Sequence, residues 1–501
     1  RATNRVTVFN SARTLFHCID EFSTMRMRVH QQKFRALVNT IVGPVAASFQ
    51  HWIKDSMTVL LAAQKMSPSP ALLTHITKAS FAVDLTVILC KTLKRCILRG
   101  CDKLSDHPAF SAFIGFALRF LRQLNGVAVF LDALCSRKEF RQLLKIRSGV
   151  VKLLKTCAKI LKNAHKQLTA SYLPHFEASL QLFISVSLGH REATVDAAGK
   201  VCLPFQIIAV LFLADVLDNR LYRRPRPQPG IATSSTVVNP AQAQAIAVAE
   251  RVLTPTLQVQ ILQIAIVKLM KLTKEDLQNW VDDGEVFVET QENIDHSSCL
   301  RSAAEHLVLS IADRNPDCVK NVLARLLSGS AQWTLPQPNA STGPSDKCLT
   351  LDAILAAFGV CYYQVMNAIN VRTWLGTKGM LYLKLPTGAP GAPKSALDHR
   401  IVQRRVLWLV KCCLYKLPDE VFGHLYAPLL IALQSGDMVV AVEAVATLQA
   451  IISDESRFQL AAFAPHAKRI VEALIFRVFA KSTELFTAQA VLEVLQDIVD
   501  R

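Results

Sequence analysis

The chain has almost no stretches of alternating apolar and polar residues, and glycine is scarce, 18 among 501 residues. Without a period-two pattern, a β-sheet fold, whose alternate residues face a core, is excluded. Lys378 to Leu385 is the one run that reads as briefly extended. Long hydrophobic runs are missing too. The longest unbroken apolar stretch, Ile207 to Ala214, is closed by Gln206 and Asp215. A membrane-spanning helix takes about 20 predominantly apolar residues, so no membrane insertion is expected. The sequence begins at Arg1 with no signal-peptide pattern, and it reads as starting inside a longer protein.

The 13 cysteines are odd in number and scattered, and none forms a CxxC pair. Zinc sites and disulfide frameworks need closer, repeated spacings, so reduced, mostly buried thiols of an intracellular protein are expected, with no metal. Catalytic signatures are missing as well: there is no His-Glu-x-x-His and no Gly-x-Ser-x-Gly. Residues 388–395, GAPGAPKS, superficially match a phosphate-binding loop, but Pro393 stands where the second glycine is required. Proline has no N–H to offer a phosphate. The expectation is a protein without catalytic residues or cofactors, and not an enzyme.

What is present is helical periodicity nearly everywhere, in a chain that is 51% apolar. From Val150 to Leu168 the apolar positions 150, 153, 154, 157, 161, 164 and 168 form one stripe at three- and four-residue steps. Lys152, Lys155, Lys159, Lys162 and Lys166 form a second stripe on the opposite side. Breaks carrying Pro or Gly separate the helices at Ser67 to Pro70, Ser105 to Pro108, Arg314 to Asp317 and Gln434 to Asp437. In the last of these, Asp437 is placed to cap the following helix by accepting backbone N–H bonds.

So many helices over this length suit a stack of helical hairpins, each of which needs its neighbours to cover its apolar face. The predicted layout has basic helical repeats over 1–220, a Pro/Ser/Thr-rich insertion at 221–246, and helical repeats over 247–327 with an acidic loop at 275–295. A flexible segment follows at 328–349, and further repeats over 350–501 carry a Gly/Pro-rich loop at 385–396.

The net charge is +18 and unevenly placed. Residues 1–170 hold 27 Lys and Arg against 8 Asp and Glu, and the remainder 30 against 31. The whole positive excess thus sits in the first third, which predicts an electropositive face for acidic protein, RNA or anionic lipid. For the lysine stripe the alternatives are recognition of an acidic cargo or phosphates and the wet face of an amphipathic helix. It lacks the interleaved aromatics that stacking on single-stranded nucleic acid wants.

Against this basic background stands the block LTKEDLQNWVDDGEVF, Leu272 to Phe287. Helix packing asks for Leu277 and Trp280 but not for Asp282, Asp283, Glu285 and Phe287 after them. The block resembles a segment of the importin-β (karyopherin-β) nuclear transport receptors, in their importin-eleven branch. Further landmarks resemble the family in the same order. They are Leu300-Arg301 with Glu305 and Leu307; Asp352-Ala353 with Ala356 and Gly359; Trp374; Arg404-Arg405-Val406-Leu407-Trp408-Leu409; and the HEAT-type unit around Asp437. That unit carries Ala441 where HEAT helices of the family often have Arg.

The resemblance implies an all-α HEAT-repeat solenoid, corresponding to the central part of a receptor that works by binding. It implies as partners the GTPase Ran (its main contact in repeats preceding this region), protein cargo and Phe-Gly nucleoporins, and a cytoplasmic, nuclear and nuclear-envelope location. Glu275, Asp276, Asp282, Asp283, Glu285 and Glu289 would then belong to an anionic arm for basic cargo or Ran, or to a solvated inter-helix loop pinned by Trp280 and Phe287. The alternative function is a HEAT scaffold binding acidic protein or RNA through its basic first third, nucleic acid entering only there.

Overall fold

The computed structural model describes residues 2–25, 27–189, 201–224, 240–292, 295–330, 344–367, 370–384, 397–417, 419–456 and 458–501. Among them there is no strand. Chain contacts divide the molecule into two units, Arg1–Thr254 and Pro255–Arg501.

The first unit comprises α1 (Ala2–Thr24), α2 (Arg28–Ala63), α3 (Pro70–Thr77), α4 (Ser80–Gly100), α5 (Pro108–Cys135), α6 (Leu144–Gln167), α7 (Thr169–Leu188), α8 (Leu203–Asp218) and α9 (Pro240–Val252). Helices α1, α4, α6 and α8 pack side by side in one layer, and α2, α5, α7 and α9 in the other. Each hairpin partner crosses from layer to layer, as in α5–α6 and α7–α8. The apolar run Ile207–Ala214 lies in α8 and is buried on every side. A helix hydrophobic all round is one enclosed by neighbours.

The second unit comprises α10 (Pro255–Ile264), which continues through a π-turn at Ala265–Leu269, then α11 (Lys274–Asp282), α12 (Gly284–Glu292), α13 (Leu300–Arg314), α14 (Pro316–Ser330) and α15 (Asp346–Val360). Three short pieces follow, α16 (Tyr362–Val365), α17 (Val371–Trp374) and α18 (Met380–Leu383). The unit ends with α19 (Leu397–Cys413), α20 (Asp419–Leu433), α21 (Met438–Ser453), α22 (Leu460–Ala473) and α23 (Leu485–Val499). Here α15, α19, α21 and α23 are successive neighbours in one layer, and α18, α20 and α22 in the other.

The local chemistry of the four breaks is as expected. Ser69 caps α3 by accepting from Leu72 N–H, with Pro70 in the first turn. Pro108 opens α5. Asn315 accepts from Cys318 N–H at the start of α14, and Asp437 accepts from Val440 N–H at 3.2 Å at the start of α21. A short polar acceptor or a proline suits this position because the first N–H groups of a helix have no intrahelical partner.

Two expectations change. Lys378–Lys384 is helical, not extended, apart from the turn-like Lys384. By length and composition two helical stretches, Pro70–Gly100 and Pro108–Cys135, are apolar enough to cross a membrane. Counting unbroken apolar runs missed them, because isolated charges such as Lys91 and Arg119 interrupt each run. About half of the most apolar 18-residue window of each stretch is buried within the stack, 50% and 44%. The Gly/Pro-rich loop 385–396, the core of the 221–246 insertion and most of the 328–349 segment lie outside the described residues. All 13 cysteines are free thiols, Cys90 and Cys157 meeting at 3.4 Å inside the first unit.

Candidate functional site: a latched acidic helix pair and a basic face

The acidic block folds into helices, which corrects the expected loop. Thr273 accepts from Asp276 N–H and Asp276 accepts from Thr273 N–H, a capping box that starts α11. Asp283 accepts from Val286 N–H and starts α12, while Asp282 accepts from the Gln278 amide one turn back. Clustering acids in the first turns of two short helices is what the helix dipole favours. Of the six named acids, Glu275 and Glu289 are exposed and make no hydrogen bond or ion pair among the described residues.

Glu285 is the surprise. It is only 4% exposed, and its carboxylate accepts from Thr483 N–H at 2.9 Å and Glu484 N–H at 3.1 Å. Those groups are the orphan donors just before α23. Glu285 therefore caps a helix about two hundred positions further along the chain, at the end where a negative charge is stabilising.

Trp280 fixes the same helix pair to α21. Its indole N–H donates to Asp437 Oδ2 at 3.0 Å, and its ring lies 5.1 Å from that of Phe287. Asp437 also receives Arg400 Nη1 at 3.3 Å. An arginine of α19 thus reaches Asp437, although position 441 of α21 itself is alanine. Gly284 sits against Val439, where a Cβ would come within 3.0 Å of a Val439 methyl, so the pair approaches α21 closely.

Beneath the latch runs a buried ionic network. Arg405 Nε donates to Asp352 Oδ1 at 2.7 Å, and Arg301 reaches Asp352 Oδ2 at 3.7 Å and Glu305 at 3.3 Å. Arg404 Nε donates to Glu443 at 2.9 Å, and Lys411 joins Glu443 at 3.2 Å and Glu292 at 3.5 Å. Arg301, Asp352, Arg404, Arg405 and Glu443 are all at most 5% exposed. Burial alone would raise the pKa of Asp352, but Arg405 and then Arg301 outweigh it and hold the carboxyl below its usual range. The Arg404 guanidinium lies over Phe287 at 5.8 Å and that of Arg405 over Trp408 at 4.7 Å.

The residues that carried the sequence resemblance therefore meet in space. Arg301 and Arg405 share Asp352, Arg404 pairs with Glu443 and Asp437 with Arg400, and Trp280, Phe287 and Trp408 pack on Asp437, Arg404 and Arg405 in turn. Gly359 belongs to the same set, because a Cβ there would overlap the Trp408 ring. Gly359→Ala should accordingly cost about 1–3 kcal/mol by overpacking, seen as a lowered melting temperature with unchanged helical signal. A variant as stable as the parent would show that Trp408 swings aside freely.

On the first unit the lysine stripe divides. Lys162 and Lys166 both contact Asp215 of α8, at 2.7 and 3.2 Å. Lys152 and Lys155 are exposed and Lys159 half-buried, and beside them on α4 stands Lys94. Burial lowers the Lys94 pKa, followed by repulsion from Lys159, Arg95 and Lys155. Two concavities accompany this face. A polar cavity of about 620 Å³ lies where α1, α4 and α6 end and α2 begins, with Arg35, Arg95 and Arg99 in its wall. A smaller groove of about 180 Å³ opens between α2 and α5, lined by Ile53, Met57, Phe116 and Phe120 and edged by Lys54 and Arg119. Periodicity could not reveal either, since a residue lining a groove and one packed against a neighbour have the same spacing. Among the described residues no cluster has the make-up of a metal site.

With this geometry in place, likeness to known proteins can be weighed. The chain is 25% identical over 232 residues to importin-11 of Mus musculus, and likewise to that of Homo sapiens. The matched stretch is 46% of this chain and 22% of the relatives' own length. Among solved structures it resembles Lph2, a bidirectional nuclear transport receptor of S. cerevisiae, with a TM-score of 0.71 and 17% identity over 99% of this chain and 45% of that one. The exportin Cse1 in its cargo-free, cytoplasmic state gives a TM-score of 0.62 and 11% identity over 96% and 45%. Over the matched stretch the chain is similar to importin-11, and its fold is like that of Lph2 and Cse1. No family model matches it. Its fold class is the all-α HEAT-repeat solenoid.

Proposed function

We propose that this importin-11-like chain serves in a nuclear transport receptor that binds protein cargo, is regulated by Ran·GTP, and moves between cytoplasm and nucleus through the pore. The observation that carries the reading is the network of Arg301, Asp352, Arg404, Arg405, Trp280 and Asp437. These are residues of the resemblance to the family, and in the fold they pair across helices: Arg301 and Arg405 meet on Asp352, Arg404 meets Glu443, and Trp280 donates to Asp437. Receptors of this family work through differential affinity for two partners, a coupling that typically amounts to about 1–3 kcal/mol. A stack in which each repeat touches only its neighbours can sum small inter-repeat adjustments into such a response.

The six acids of the latch do not behave as one arm in this reading. Glu285, Asp276 and Asp283 are occupied in holding helices and Asp282 accepts from the Gln278 amide, which leaves Glu275 and Glu289 as the pair available to basic cargo or Ran. The groove between α2 and α5 is assigned to a Phe-Gly motif, because half-buried Phe116 and buried Met57 offer apolar surface open to solvent at one side.

The test is recovery of the protein, as it occurs in the cell, on immobilised Ran carrying a non-hydrolysable GTP analogue or GDP. At least tenfold better recovery on the GTP form is expected. Equal recovery on both forms would overturn the transport reading and favour the scaffold for acidic partners.

A further inference from the structure

We propose that the α4–α6 face of the first unit, built on Lys94, Lys152, Lys155 and Lys159, is a docking surface for an acidic peptide segment. This goes beyond the transport reading and does not depend on it, since the binding can be measured without Ran.

The acids around this face are already committed. Asp20 on α1 pairs with Arg95 at 2.5 Å, Asp84 on α4 with Lys145 at 3.3 Å, and Asp215 on α8 with Lys162 and Lys166. Neither Lys94, Lys152 nor Lys155 has an ion pair among the described residues. Lys94 is nevertheless half-buried between helices, where an unpaired charge costs more than at an open surface. Burial and then the cations of α6 disfavour its protonated form. A fold that keeps like charges packed in this way gains when an anion arrives, and the anion's charges must be spaced along the helix. Lys152 to Lys159 covers seven residues of α6, roughly 10 Å at 1.5 Å per residue, a span matched by three or four residues of extended peptide. Through Arg95 the face continues into the polar cavity of about 620 Å³, whose wall also holds Arg99.

Charge complementarity selects carboxylates over nucleic acid. Helix α6 carries no Phe, Tyr or Trp, so bases would find no stacking platform between the cations.

The experiment is fluorescence anisotropy with a labelled peptide of ten glutamates at two salt concentrations. The reversal pair Lys94→Glu with Lys155→Glu should weaken binding at least tenfold. Lys78→Glu with Lys138→Glu, the same change of net charge on exposed lysines elsewhere, should weaken it less than twofold. Equal loss in both pairs, or no binding by the parent, would overturn the proposal. So would tighter, lysine-dependent binding of a ten-nucleotide oligouridine, which would make the face one for nucleic acid. If the reversal disturbs the fold, the neutral pair Lys94→Met with Lys155→Met relieves the like-charge contact and gives the same readout.

Discussion

Replacing Asp352 by alanine should destabilise the second unit by about 3–5 kcal/mol, the usual cost of removing one partner from a buried ion pair. Asp352 is 1% exposed and answers two guanidinium groups, Arg405 and Arg301, which are 3% and 5% exposed. Both would be left buried with less compensation, and neither can shed its proton. For a unit of this size the melting temperature should fall by roughly 10 °C. The pH dependence follows from the depressed pKa of Asp352. A carboxyl held below its ordinary pKa contributes stability that is full above that ordinary value and is lost as the pH falls through the folded one. The parent should therefore lose stability on acidification below about pH 4, and the alanine variant should lack this part of the acid limb. Replacing Asp352, Arg301 and Arg405 together by apolar residues of similar volume should recover much of the loss. A single alanine variant melting within 1–2 °C of the parent would show the network to be solvated.

How much of this was legible in the sequence differs between backbone and side chains. Helices, their breaks and the caps at Ser69, Asn315 and Asp437 follow from local rules, because a cap contacts residues two or three positions away. The two-layer stack follows from apolar stripes that no single hairpin can bury. Long-range contacts leave no such local trace. Glu285 is one of many acids in its segment, and nothing nearby distinguishes it from exposed Glu289. Its partners are N–H groups at positions 483 and 484. Lys162 and Lys155 lie on one stripe, yet among the described residues Lys162 meets Asp215, across to another helix, and Lys155 has no ion pair. Family resemblance marked Arg301, Asp352 and Arg404-Arg405 as a set, but their pairing, with Asp352 shared between two arginines, required coordinates.

The second large effect is expected at Trp280, where alanine should cost about 3–5 kcal/mol, the range for emptying a large buried aromatic site. Here the loss should be local first. Trp280 is 4% exposed, donates to Asp437 and packs on Phe287. Asp437 keeps Val440 N–H and Arg400 when the indole leaves, so α21 retains its cap. What loses its anchor is α11–α12, then held to the stack by Glu285 at α23, Phe287 under Arg404, and the pair between Glu292 and Lys411. Amide exchange over 274–292 should accelerate far more than over α21. Trp280→Phe separates the two contributions, since it keeps most of the ring and removes the N–H. Its cost should be about 1.5–3 kcal/mol, as for a hydrogen bond to a charged group. If exchange in 274–292 stays as slow in the alanine variant as in the parent, Glu285 and Phe287 suffice to hold the helices, and Trp280 only fills space. If exchange speeds up there and at the start of α23 together, the helix pair and that terminus open as one unit, joined by the Glu285 carboxylate.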